Sequence, residues 1–152
     1  DITKEEDWQK ILSSLRLDNI VAEHVWEHLT QKEAELANAN CFKYLKNGGV
    51  LRIAVPDGHN PDKKYIESVR SGGTGKGADD HKMLYNYKII SKNFKKAGFE
   101  IKLLEYWDEN AQFHYENWSN GNGFIIRSRR YDPRNKNGFL KYTSLIIDAI
   151  KQ

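Results

Sequence analysis

Two short apolar segments joined by one capped helix constrain this 152-residue chain more than any other feature. Ile20-Val21-Ala22 is apolar and β-branched, which suits a buried strand. Thr30, with Glu33 three residues on, reads as a capping-box start. Ala34, Ala37, Cys41 and Leu45 then form one apolar stripe, with Phe42 beside it. Lys43 and Lys46 put positive charge where a helix C-terminus favours it, and Asn47-Gly48-Gly49 ends the helix. Val50 to Val55 reads as a second strand, stopped by Pro56. A strand, a helix and a strand with short joints predict a parallel pair and a right-handed crossover.

The flanks extend the same pattern. Thr3-Lys4-Glu5-Glu6 has the form of a capping box, and Trp8, Ile11, Leu12 and Leu15 follow at helical spacing. Leu17-Asp18-Asn19 reads as a turn. Asn60 to Asp80 is polar and holds four of the glycines. Met83, Tyr87, Ile90, Phe94 and Ala97 predict a second strong helix, closed by Gly98. Phe99 to Glu105 alternates as an edge strand does, and Ser144 to Ile150 forms a last strand with an apolar centre. Between them, residues 107–142 are irregular and rich in Asn, Gly and aromatics, with turns at Tyr131-Asp132-Pro133 and Lys136-Asn137-Gly138. The expectation is one domain over 1–152, with 107–142 as an irregular insertion.

Composition narrows the function classes. Cys41 is the single cysteine, so neither an intrachain disulfide nor a Cys-rich zinc site forms. A net charge of +3 does not by itself point to nucleic acid. No apolar run approaches a membrane span of ~20 residues, and no signal peptide is visible. A cytoplasmic, soluble protein is the expectation. The chain begins at Asp1 without a methionine, which suggests a piece of something longer.

Three segments carry candidate chemistry. His24-x-x-Glu27-His28 fits the H-x-x-E-H pattern of zinc proteases. That reading requires both histidines on one face of a regular helix, and a third ligand for which Glu67 is one candidate. The motif sits instead at a strand-to-helix joint, so a zinc hydrolase stands as an alternative and no resident metal is expected. Ser71-Gly72-Gly73-Thr74-Gly75-Lys76-Gly77 fails the phosphate-loop pattern, because no Ser or Thr follows Lys76 and Arg70 stands where the first Gly belongs. It reads as a surface loop. Arg127, Arg129, Arg130, Arg134, Lys136 and Lys141, with Trp118, Phe124 and Tyr131 nearby, either bind RNA or a phosphorylated substrate or form a solvated face. The solvated face is preferred.

Four segments in order resemble class I S-adenosylmethionine-dependent methyltransferases, most nearly the small predicted bacterial ones. They are Glu23-His24-Val25-Trp26-Glu27-His28-Leu29, Leu45-Lys46-Asn47-Gly48-Gly49-Val50-Leu51-Arg52-Ile53-Ala54-Val55-Pro56-Asp57, Asp80-His81-Lys82, and Tyr142-Thr143-Ser144-Leu145-Ile146-Ile147-Asp148-Ala149. The resemblance covers Asp18 to Ile150. It implies a partial Rossmann-like α/β sheet with helices on both faces. Its strands would be the family's fourth, fifth, seventh and sixth, the last antiparallel and lying between the two before it. The family's Gly-rich turn, G-x-G-x-G, and its ribose-binding acid do not occur ahead of these segments.

The resemblance implies S-adenosylmethionine as cofactor and methyl transfer to a small-molecule acceptor. Ligands of such sheets lie beyond the strand carboxyl ends, so Ala22, Glu23 and His24 are expected at the cofactor, along with Asp1 and Ile2 from the segment after the family's third strand. Asp57 and His81 are expected on the substrate side, and His28 as the base. Glu23 and His24 alternatively bond neighbouring backbone, His28 the next helix, and His81 its own loop. A non-catalytic binding module, derived from a degenerate methyltransferase domain, is the other reading. An open sheet edge at Ile20-Val21 invites pairing with a second copy.

Overall fold

In the computed structural model, which describes residues 1–152, a five-stranded sheet has the order β1-β2-β5-β3-β4. The strands are β1 (Leu17–Glu23), β2 (Leu45–Pro56), β3 (Glu100–Trp107), β4 (Phe113–Tyr115) and β5 (Ser144–Ile150). β1 and β2 are parallel, with Ile20 opposite Leu51 and Ala22 opposite Ile53. β5 lies antiparallel between β2 and β3, pairing Ile147 with both Ile53 and Leu103. The partial α/β sheet and its inserted antiparallel last strand are those expected; β4, which falls in the segment expected to be irregular, pairs with β3 and makes β3 an interior strand where an edge was expected. No helix is long and apolar enough to cross a membrane.

The crossover forms for the local reasons anticipated. Helix α2 spans Gln31–Tyr44, and Thr30 and Glu33 make a complete capping box at its start. Ala34, Ala37 and Cys41 bury against Leu51, Ile53 and Val55. The small side chains let α2 approach the sheet closely. β2 then starts at Leu45, earlier than the glycines suggest. Gly48 does not end the helix; at φ +77° it bends the start of β2 while its N–H bonds to Lys151 O. Leu17-Asp18-Asn19 likewise belongs to β1 rather than to a turn.

Helix α1 (Glu5–Leu12) lacks the expected capping box: Thr3 turns its amide and hydroxyl to the Asp1 carboxylate instead. Trp8 stacks on Tyr44 at 5.5 Å, while Ile11 stays exposed. A further helix, α3 (Lys63–Val69), occupies the expected polar loop, burying only Tyr65 and Val69. Helix α4 (Tyr87–Lys96) starts at Asn86, whose side chain accepts from the amides of Lys88 and Ile89. Met83 therefore lies outside it, packed on the core. Gly98, at φ +100°, ends the turn against the Phe42 ring, where a Cβ would come within 3.0 Å.

The two faces of the sheet are covered differently. One face carries 16 buried residues from α2, α4, the strands and the joints, including Trp26, Ile90 and Phe94. The other has no helix on its apolar cluster, where helices were expected; Ala54, Leu104 and Ile146 pack against Ile125 and Trp118 of the irregular segment. Arg52 pins that segment. Its guanidinium is bidentate to Asp148 at 2.7 Å and donates to Ser119 O and Gly123 O at 2.7 Å. So 107–142 is a cover for the smaller of the two apolar clusters as well as a connection.

Candidate functional site

β1 ends at Glu23, and the chain then turns sharply. His24 adopts φ +55°, a left-handed conformation uncommon for a residue with a Cβ. Its amide bonds to Ala54 O at 2.8 Å, so β2 holds the turn in place. A single 3-10 turn, Trp26–His28, follows before Thr30 caps α2. His24 and His28 thus do not share a face of a regular helix, and the H-x-x-E-H zinc-protease arrangement does not form.

Glu27 faces inward from this turn. It is fully buried, and neither carboxylate oxygen has a hydrogen-bond partner. His24 Nδ1 approaches Glu27 Oε1 to 3.2 Å, without hydrogen-bond alignment. Burial pushes the Glu27 carboxyl up to about 7. His24 moves the other way, down to about 3, chiefly through burial and then through Arg127. Its neutral ring lies 3.0 Å from Ser144 Oγ through Nε2. The backbone of Glu27 is held from across the cleft, since Lys82 and Met83 both donate to its carbonyl.

Those two bonds bring the Asp80-His81-Lys82 segment against the turn. The rings of His28 and His81 meet edge-on with centroids 4.7 Å apart. His81 Nδ1 lies 2.7 Å from Val69 O. A carbonyl only accepts, so Nδ1 carries the proton and Nε2 is left with its lone pair, 4.0 Å from Glu27 Oε1. His28 Nδ1 lies 3.3 Å from Asp80 Oδ2. Glu27, His28 and His81 each offer one donor atom, all within 4.8 Å of one another. Tyr85 contributes a buried hydroxyl without a partner nearby, raised to about 12 by burial and then by Glu27.

The other residues expected at the site have different surroundings. The Glu23 carboxylate accepts from the amides of Ile126 and Arg127 and pairs with the Arg127 guanidinium at 3.3 Å. Asp57 is fully buried; it accepts from His59 N and Trp107 N and ties the ends of β2 and β3 together. Burial raises it to about 6. Ala22 is buried in the helix-side core. Asp1 and Ile2 stand apart from all of these. With Trp8, Ile11, Leu12 and Leu17 they line a hollow of about 270 Å³ at the start of β1. Seven residues of strand, about 20 Å at roughly 3.3 Å per residue, separate that end from Glu23.

The basic run is neutralised only in part, and Lys136 and Lys141 stay exposed, as a solvated face would have them. Arg127 and Arg134 pair with Glu23 and Asp132, and Arg129 stacks on Tyr115 at 3.8 Å. The glycine loop cradles nothing: its amides at Gly73, Thr74 and Gly75 bond to carbonyls at the end of α3. Sequence reasoning gave Glu27 a chemical role only in the zinc motif and did not join it to His81. The signal was present in the Asp80-His81-Lys82 segment, but the pairing depends on the chain path.

With two parallel strands and an antiparallel last strand inserted between neighbours, the chain has a fold like that of solved S-adenosylmethionine-dependent methyltransferases. The chain is similar to a SAM-dependent methyltransferase from Archaeoglobus fulgidus (16% identity, TM-score 0.56, 97% of this chain and 65% of that one). It is also similar to an O-methyltransferase family protein from Burkholderia thailandensis (13%, 0.56, 100% and 34%). A third likeness is to a SAM-dependent methyltransferase of Thermotoga maritima, described as a possible histamine N-methyltransferase (14%, 0.52, 91% and 59%). These likenesses are of fold, and the chain spans between 34% and 65% of the three proteins' lengths. No protein-family model and no curated protein matches it.

Proposed function

We propose that this chain supplies the later strands of an S-adenosylmethionine-dependent methyltransferase that acts on a small-molecule acceptor. The observation that carries the reading is β5, antiparallel between β2 and β3, in a chain whose fold is similar to three solved methyltransferases. In that fold ligands lie past the carboxyl ends of the strands. Here those ends carry the His24 turn and Asp57. Methyl transfer from a sulfonium asks chiefly for alignment of acceptor and methyl carbon, and on this reading the half-exposed His28, when no ion is bound to it, takes an acceptor proton.

The residues present do not make a complete cradle for the cofactor. Both acids at the strand ends are already engaged by backbone amides, one to each carboxylate oxygen. The one G-x-G-x-G match, Gly73-Thr74-Gly75-Lys76-Gly77, follows α3 and not a first strand, and its first three amides bond to carbonyls at the end of α3. On our reading those parts come from sequence outside the 152 residues. Calorimetric titration of the native protein with S-adenosylmethionine tests this: micromolar binding is expected, and absence of heat overturns it. The engagement of both acids by backbone amides favours one second reading, a non-catalytic module, to which that negative result would lead. The free edge of β1, where Val21 is partly exposed, is the proposed contact for a second copy, which sedimentation would detect as a dimer.

A further inference from the structure

We propose that Glu27, His28 and His81 form a binding site for one divalent transition-metal cation of the zinc class. Each residue contributes one donor atom, and the three atoms lie within 4.8 Å of one another. An ion with bonds of about 2.1 Å in tetrahedral geometry holds its donors about 3.4 Å apart. The trio therefore closes by about 1.4 Å at most, a movement within reach of side-chain rotation at a single 3-10 turn.

Independent support comes from Glu27 itself. It is completely buried, and both its oxygens lack partners. A buried, unpaired carboxylate is costly, and only its own backbone amide and the charge of Arg127 oppose that cost: His24 is misaligned, and Tyr85 makes no bond to it. A cation bound by the two imidazoles would. The ligands are also prepared from behind, as metal-bound histidines usually are. The bond from His81 Nδ1–H to Val69 O leaves Nε2 to bind, and the Asp80 carboxylate lies against the His28 ring. His28 is half-exposed, which gives the ion an entry path from solvent.

Two imidazoles and one carboxylate select a borderline cation over Mg²⁺ or Ca²⁺, which take oxygen shells. Three protein ligands leave a fourth position for water or for an acceptor oxygen. This differs from the motif expectation: His24 is not a ligand, and His81, distant in sequence, replaces it. A bound ion takes the His28 lone pair, so His28 then positions the cation and is not a base. The inference does not depend on methyl transfer.

The test uses the whole chain, stripped with a chelator and titrated with Zn²⁺ and with Co²⁺ for its visible spectrum. One ion per chain is expected, with Co²⁺ bands of a low-coordinate nitrogen–oxygen site and a higher thermal midpoint with Zn²⁺. Glu27→Gln and His28→Gln should each weaken binding at least tenfold while far-UV circular dichroism is unchanged. Glu27→Gln removes an uncompensated charge, so loss of fold is not expected to mask the result. Absence of stoichiometric binding overturns the site, as does equal affinity in the wild type and both variants, or equal competition by Mg²⁺. Metal binding without S-adenosylmethionine binding leaves this site standing and removes the methyltransferase reading.

Discussion

Replacing Arg52 by alanine removes the group that joins the sheet to the cover of its second face. Arg52 and Asp148 are buried with side-chain exposures of 2% and 7%. Breaking such a pair from one side costs about 3–5 kcal/mol, because the remaining charge is left desolvated. The bonds to Ser119 O and Gly123 O, and the stacking on Trp118 at 4.7 Å, go as well. Two lost charge-assisted bonds add roughly 3–6 kcal/mol in total. The sum, on the order of 8 kcal/mol, is comparable to the whole stability of a typical domain, about 5–15 kcal/mol. Asp148→Ala should cost less, since Arg52 keeps two carbonyl acceptors and a ring. Urea unfolding followed by circular dichroism, on both single variants and the double, measures the coupling. High salt should leave it nearly unchanged, because the pair is buried. A loss below about 1 kcal/mol for Arg52→Ala would refute the desolvation argument.

Asp57 has a proton affinity raised from 3.8 to about 6 by burial. The folded state therefore holds its proton more tightly than the unfolded chain. Its stabilising contribution is full below about pH 4 and is lost as pH rises through 6, by on the order of 3 kcal/mol. Urea midpoints of the wild type and Asp57→Asn across pH 4 to 7 test this, and equal slopes in the two would contradict it. Gly123 has φ +125°, and a Cβ there would lie 2.1 Å from Val21 Cγ2. Gly123→Ala should lift the segment off β1, at a cost of about 2 kcal/mol, with faster proteolysis around it. Adding Val21→Ala should recover part of that loss; no recovery would mean the contact is not what limits the variant.

The residues show where sequence was legible. The Thr30–Glu33 cap, the strand from Ser144 to Ile150 and the Gly98 turn are local devices, and the structure places each as expected. Strand edges at Leu17 and Leu45 were misjudged because turn-like residues there are held by cross-strand bonds. Helix α3 was missed because it buries only two side chains, too few to impose a period. The candidate site was legible in part. The joint from Glu23 to His28 stood out, but the partners of its carboxylates did not.

What the sequence by itself determined is the sheet's connectivity: two apolar strands around a capped helix, then an alternating strand and an apolar one. Apolar periodicity and caps act within a few residues, so they can be read without a fold. Only the tertiary structure decided that Glu27 meets His81, that Glu23 is closed off by the amides of Ile126 and Arg127, and that Arg52 finds Asp148. Each of those contacts joins residues far apart in the chain. Whether a buried charge is paired, left open for a cation or sealed by backbone depends on the path that brings a distant segment against it.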